Sequence, residues 1–156
     1  MMPTRQSAAL KVVFDTNVVV SATLFRSSFL SPLRAAWQDG RISAVVCAET
    51  NAELLRVLTY AKFKLSEAGI AHVLALYLPF AQSHKIEFNT NKASTLPICR
   101  DVRDQIFLEL AHAAQANLLV SGDDDLLSLA EDASMQHMSF KIITPAALMQ
   151  LLRSRK

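Results

Sequence analysis

Cysteine is scarce in this sequence, with two residues, Cys47 and Cys99, in 156. They lie far apart and match no metal or redox spacing, so both thiols are expected to be free in a reducing cytoplasm. Cys47, inside an apolar run, reads as a small core residue. The four histidines, His72, His84, His112 and His137, are scattered without ligand spacing, which argues against zinc. No Ser/His or Cys/His pair stands out, so nothing points to a covalent intermediate. No apolar run is long enough to cross a bilayer, so no membrane partner is expected. The opening MMPTRQSAAL has one basic residue and little apolar length, which reads as a flexible leader over residues 1–10 rather than a signal peptide. Internal repeats, low-complexity segments and a second-domain linker are all missing.

What remains is apolar. Hydrophobic residues make up 51%, mean hydropathy is +0.24, and there are only three glycines. A chain of this length buries a sizeable core as one domain, expected over residues 11–152 with a short basic tail at 153–156. The apolar surplus suggests surface covered by a second copy, as in a homodimer, or by a partner. An alanine-rich helical core accounts for the same surplus, and the two are compatible. The formal charge of +2 says nothing by itself about nucleic acid.

The chain is organised around KVVFDTN, Lys11 to Asn17. Val12, Val13 and Phe14 run into Asp15, and Thr16 and Asn17 turn the chain. A short β-branched run of this kind reads as a strand buried on both faces of a parallel sheet. Asp15 then lies at the carboxyl end of that strand, where open α/β sheets bind ligands. A lone carboxylate there needs a cation or hydrogen-bond donors. Downstream, VVVSATLF and FLSPLRAAWQ read as helix broken at Ser27 and Ser28, with Pro32 in a first turn and Gly40 as a C-cap. ISAVVCA is a second strand, ETNAELLRVLTYAKF a helix with Leu54, Leu55 and Leu58 on one face, and SEAGIAHVLALYLPFAQ another helix. KIEF is a candidate short strand and NTNKASTLP a polar loop. RDVRDQIFLELAHAAQA shows Phe107, Leu110, Ala111 and Ala114 at helical spacing. NLLVSGDDD, DLLSLAED, SFKIIT and PAALMQLL complete a strand–helix–strand–helix series. The alternation predicts a three-layer α/β/α fold with a central parallel sheet of four to five strands and right-handed crossovers.

Four segments place acids at their ends: Asp15; Glu49 and Glu53; Asp101 and Asp104; and Asp123 to Asp125. Each has an innocent alternative, for Asp15 that of a turn-forming aspartate and for the others that of a helix cap. Thr50 with Glu53 fits a T-x-x-E capping box, and Asp101, Asp104 and the Asp123–Asp125 run suit helix starts. The combination says more. Strand ends and helix starts on one edge of a parallel sheet converge, and clustered carboxylates raise each other's pKa unless a cation neutralises them. An all-oxygen set of this kind suits Mg²⁺ or Mn²⁺.

At these residues the chain resembles a known family. DTN at Asp15 to Asn17, Glu53 in AELLRVL, Asp104 in RDVRDQIFLELA and Asp123 in LLVSGDDDLL, in that order, are similar to a PIN domain, and most to bacterial PIN proteins of the VapC-like toxin ribonuclease kind. The resemblance spans the chain from about Lys11 to the final helix. It implies that Asp15, Glu53, Asp104 and Asp123 form the catalytic metal site, with Asp125 an occasional extra ligand, and that Asn17 and Ser121 support them. Glu49, one helical turn before Glu53, is the alternative on spacing alone. Val102 stands where the family often has proline and Ile106 where close relatives often carry lysine, departures that bear on substrate positioning rather than metal binding.

The implied activity is Mg²⁺- or Mn²⁺-dependent hydrolysis of RNA phosphodiester bonds, in which the ions activate a water and neutralise phosphate charge. The resemblance further implies the toxin of a type II toxin–antitoxin pair, whose separately encoded antitoxin would cover apolar surface or insert a basic side chain into the acidic cleft. Setting the four site acids aside leaves sixteen basic residues against ten acidic ones, enough to hold a phosphate backbone. Arg100 and Arg103, beside Asp104, are the first substrate-binding candidates. Arg26, Arg34, Arg56, Lys62, Lys64 and the tail Arg153, Arg155 and Lys156 are others, and most of these read equally as solvated helix face. The rival readings are a catalytically inactive PIN-like RNA- or protein-binding scaffold whose acids are caps, and a phosphotransfer domain built on Asp15. The latter needs a second aspartate where Asn17 stands. A flap-endonuclease-like DNA nuclease needs more length than the chain has.

Overall fold

The computed structural model describes residues 9–25, 29–86 and 96–155. Five strands form one sheet: β1 (Leu10–Phe14), β2 (Ile42–Val46), β3 (Ala81–Ser83), β4 (Leu118–Val120) and β5 (Lys141–Ile143). All neighbours pair in parallel, in the order β3-β2-β1-β4-β5. The chain builds outward from β1 to β3, returns to lay β4 against the other side of β1, and ends on β5. The strand order therefore reverses between β1 and β4, the position at which open parallel sheets bind ligands outside the carboxyl ends of their strands.

Register follows from burial. Val12 stands opposite Ala44 on one side and Leu118 on the other, and Phe14 is opposite Val120. Val12, Val13, Leu119 and Val120 are all but completely buried, as a strand covered on both faces demands. Alternate residues feed two cores. Val12 and Phe14 join Val18, Trp37, Leu58, Val73 and Leu148, drawn from α1 (Thr16–Leu24), α2 (Ser31–Gln38), α3 (Ala48–Leu58), α4 (Glu67–Ala75) and α7 (Pro145–Ser154). Val13 and Leu119 join Phe107, Leu108 and Leu110 of α5 (Gln105–Ala113), Leu126 of α6 (Asp124–Leu127), and Phe140. Helices thus cover both faces, giving the three-layer α/β/α arrangement with five strands.

The single tryptophan ties the first layer together. Trp37 meets the Phe14 and Tyr77 rings edge-on at centroid separations of 5.6 and 4.9 Å, a favoured aromatic geometry. Its indole N–H donates to the Leu76 carbonyl at 3.0 Å, so the end of α4 is fixed to α2. Pro32 occupies the first turn of α2, and Gly40, just past its end, takes φ +88°, a conformation that suits glycine after a helix. Thr144 caps α7 by accepting from the Ala147 amide at 3.1 Å.

Several elements differ from the expectation. The 66–82 helix is three elements: α4 stops at Ala75, a 3₁₀ turn spans Leu78–Phe80, and Ala81–Ser83 is the edge strand β3. Pro79 cannot donate a backbone hydrogen bond and closes the helix early. KIEF is not that strand: Lys85 and Ile86 lie past β3, and Glu87 and Phe88 fall outside the described residues. Ala48 opens α3 rather than ending β2. On α3, Leu54 and Leu58 are buried while Leu55 is 47% exposed, because neighbouring residues on a helix face different ways. β1 begins at Leu10, inside the expected leader, and α7 continues through Arg153 and Ser154, inside the expected tail. The break expected at Ser27 and Ser28 lies outside the described residues.

Leu119 is fully buried at the centre of β4. Leu119→Ala is expected to lower unfolding free energy by about 2–5 kcal/mol, measured from urea curves followed by the fluorescence of buried Trp37.

Candidate active site

Asp15 follows β1 directly and is the N-cap residue of α1, yet its carboxylate makes no cap hydrogen bond. It is turned to the adjacent strand instead. The Ser121 hydroxyl, fully buried just past β4, donates to Asp15 Oδ2 at 2.7 Å and accepts from the Asp123 amide at 2.9 Å. One hydroxyl thereby joins the ends of the two strands that flank the reversal point. Backbone bonds hold the same corner: the Asp15 amide donates to the Val120 carbonyl at 2.9 Å, and the Ser121 amide to the Ile143 carbonyl at 3.1 Å. Asp15 is 5% exposed. Burial raises its pKa above the ordinary carboxylate range, the Ser121 hydroxyl pulls it back, and the Asp123 charge raises it again.

Asp104 reaches the site from α5, the helix that crosses over from β3 to β4. It ends a 3₁₀ turn, Val102–Asp104, and stands at the N-cap of α5 without capping it. Its Oδ2 is buried and has no hydrogen-bond partner among the described residues. The carboxyl is pushed up to about 7, first by burial, then by the neighbouring Asp123 carboxyl, and further by the charges of Asp15, Asp123 and Asp101. Asp15, Asp104 and Asp123 therefore feel one another as a single acidic cluster, and near neutral pH Asp104 shares in keeping a proton there. Asp123 also caps α6, accepting from the Asp125 amide at 3.0 Å. Asp125 lies close enough to act, with Asp104 and Asp123, on the Cys99 thiol.

Glu53 is not gathered in. Its carboxylate is taken by Arg56 on the same helix, at 2.7 Å. The expected Thr50–Glu53 capping box is replaced by one between Cys47 and Thr50, since α3 starts three residues earlier than that box requires. Asn17 is exposed at the start of α1 and its amide lowers the Asp15 pKa slightly. Asp101 is a cap, accepting from the Arg103 amide at 3.0 Å, and it also pairs with the Arg103 side chain at 3.2 Å. Arg100 and Arg103 are exposed beside the cluster. Glu49 sits in the first turn of α3.

Two residues missed by sequence reasoning shape the floor. Gln105 Oε1 accepts from the Cys99 amide at 2.7 Å, and its Nε2 donates to the Pro97 carbonyl at 3.0 Å. This staples the 97–99 segment to the first residue of α5, next to Asp104 in the chain. Cys99 is buried, with Sγ 3.7 Å from the Asp125 carbonyl, and burial pushes its thiol pKa up, the Asp104, Asp125 and Asp123 charges adding to this. Neither residue carries a periodic or motif signal, because both act through single long-range contacts.

Among the described residues, no group of three or more His, Cys, Asp or Glu side chains stands at metal-holding spacing. The donor chemistry nonetheless fits a hard cation: all-oxygen, with raised proton affinity and an unpartnered Asp104 oxygen. Asp15, Asp104 and Asp123 are the residues that would hold it.

These carboxylates collect at the reversal point of a parallel α/β/α sheet, the position at which such sheets bind their ligands. The chain belongs to the PIN domain family, whose model matches residues 11–125. PIN domains are nuclease-type domains, and as a class use divalent metals. No curated protein and no solved structure matches the chain.

Asp104 binds its proton more tightly when folded, about 7 against an ordinary 3.8. Its contribution to stability is full below about pH 3.8 and is lost as pH rises through about 7. In EDTA, wild-type stability is expected to decline over that window, and Asp104→Asn to flatten most of the decline in urea midpoints taken at stepped pH. Ser121→Ala strips Asp15 Oδ2 and the Asp123 amide of their shared partner. It is expected to cost about 1–3 kcal/mol, read from the same unfolding curves.

Proposed function

We propose that this protein is a metal-dependent endoribonuclease that hydrolyses RNA phosphodiester bonds. The observation that carries the reading is the convergence of Asp15, Asp104 and Asp123 at the β1–β4 reversal in a chain of the PIN family. A bound Mg²⁺ or Mn²⁺ supplies the Lewis acidity that phosphodiester hydrolysis needs. The chain supplies the rest. Ser121 holds Asp15 by its hydroxyl, and the Gln105 staple ties the 97–99 segment to the start of α5, next to Asp104 in the chain. The cluster holds a proton near neutral pH that a cation would displace. Arg100 and Arg103 lie exposed beside Asp104, where cationic side chains meet a phosphate backbone. By family position Glu53 completes the acid set, with Asp125 as a further ligand and Asn17 in support.

The resemblance to VapC-like proteins supports a narrower role, the toxin of a type II pair acting as a homodimer and restrained by a separately encoded antitoxin. Exposed Phe25, Phe29 and Leu55 are apolar surface of the kind such partners cover. A catalytically inactive scaffold is the second reading, favoured by the Glu53–Arg56 pair and by the caps that Asp101 and Asp123 form.

Purified protein is expected to cut labelled single-stranded RNA with Mn²⁺ or Mg²⁺ and to lose cleavage in EDTA. Asp104→Asn is expected to lose at least about a hundredfold in rate, more than an outer-shell change typically costs. Inert wild-type protein that also binds no metal by calorimetry would establish the scaffold reading instead.

A further inference from the structure

The segment that leads into Asp104 carries the two most exposed large hydrophobic side chains among the described residues, Ile98 at 84% and Val102 at 80%. Their exposure is not that of a loose loop. Pro97 and Cys99, on either side of Ile98, are buried while Ile98 and Arg100 face solvent, so the chain alternates inward and outward as an extended segment does. Gln105 grips both peptide groups that flank Ile98, accepting from the Cys99 amide and donating to the Pro97 carbonyl. The Cys99 thiol donates to the Asp125 carbonyl at 3.7 Å, which ties the same stretch to α6. Val102 is held in turn: Asp101 accepts from the Arg103 amide, and the Asp104 amide donates to the Asp101 carbonyl at 3.0 Å.

A backbone fixed in this way presents its side chains with little left to order on binding. Their size says what fits. Together they offer on the order of 200 Å² of apolar surface, well short of the roughly 800 Å² a side that a standard protein–protein interface buries. Their neighbours carry charge: Arg100 and Arg103 are exposed between and beside them, and Arg100 makes no ion pair among the described residues. Apolar and cationic side chains interleaved along a short rigid stretch suit a single nucleic-acid strand, whose bases offer open faces and whose phosphates recur with each base.

We propose that Ile98 and Val102 form an apolar lip against which one base of single-stranded RNA lies, while Arg100 meets the adjoining phosphate. The proposal deepens the nuclease reading above and rests on it. Val102 stands two residues before Asp104, at most about 7 Å of chain, so the base it holds belongs to a nucleotide close to the bond that is cut. A contact of this kind takes the face of a base, which all four bases have.

The test uses the full chain in EDTA, so that RNA is bound and not cut, and follows the anisotropy of two fluorescent probes. One is a single-stranded oligoribonucleotide, the other an abasic oligomer of the same length and charge. Wild type is expected to bind the oligoribonucleotide tighter. Ile98→Ala combined with Val102→Ala is expected to weaken that binding about three- to tenfold and to leave the abasic affinity unchanged, whereas Ile98→Val combined with Val102→Ile holds wild-type affinity. Arg100→Gln is expected to weaken both probes alike. A urea midpoint equal to that of wild type, as expected for side chains this exposed, shows that the double alanine variant is folded. Unchanged oligoribonucleotide binding in that variant, an equal loss on the abasic probe, or no preference of wild type for the probe with bases overturns the lip and leaves the nuclease reading standing. A wild-type dimer that the double alanine variant converts to monomer in sedimentation, with RNA binding intact, overturns it in favour of a protein interface. Wild type that neither binds the oligoribonucleotide nor cuts it with Mn²⁺ overturns both readings.

Discussion

The parallel pairing of β1 with β4 is the constraint on which the rest of the site depends. It places Phe14 beside Val120, and so brings Asp15 and Ser121, the next residue of each strand, to the same edge of the sheet. Neither residue is near the other in sequence. Only the return of the chain from β3 to the opposite flank of β1 makes them neighbours, and the α5 crossover that effects the return also carries Asp104 in. One topological step thus assembles all three acidic elements.

That assembly opposes itself electrostatically. Burying Asp15 and crowding it with Asp104 and Asp123 disfavours ionisation, and the Ser121 hydroxyl relieves part of the penalty at Asp15. Asp104 receives no such relief and keeps an oxygen without a partner. The exposed acids behave differently: Glu53 and Asp101 are each matched to an arginine of their own segment, Arg56 and Arg103, and ion pairs in water of this kind rearrange at little cost.

The fold was legible because its strongest signals are local. Val12, Val13 and Phe14 end at an aspartate, and Phe107, Leu110, Ala111 and Ala114 repeat at helical spacing; all are buried as that pattern requires. β3 was not legible, since three residues, Ala81–Ser83, at the sheet edge and largely exposed, carry neither a hydrophobic run nor alternation. At the site, Asp15, Asp104 and Asp123 announced themselves as acids at element ends. The pairing of Glu53 with Arg56 and the staple made by Gln105 did not, because each turns on a rotamer or on a contact whose partner the sequence leaves unspecified. Capping, expected of the acids other than Asp15, applies to Asp101 and Asp123 and not to Asp104, and Asp15 makes no cap either.

The amide of Ser121 is held by the carbonyl of Ile143, a residue of the last strand. During synthesis, every acid of the site leaves the ribosome before that carbonyl does. A nascent chain stopped short of β5 has the carboxylates but lacks the anchor that fixes the serine between Asp15 and Asp123. The edge strand, which contributes no acid of its own, therefore helps to order the site that the earlier strands carry.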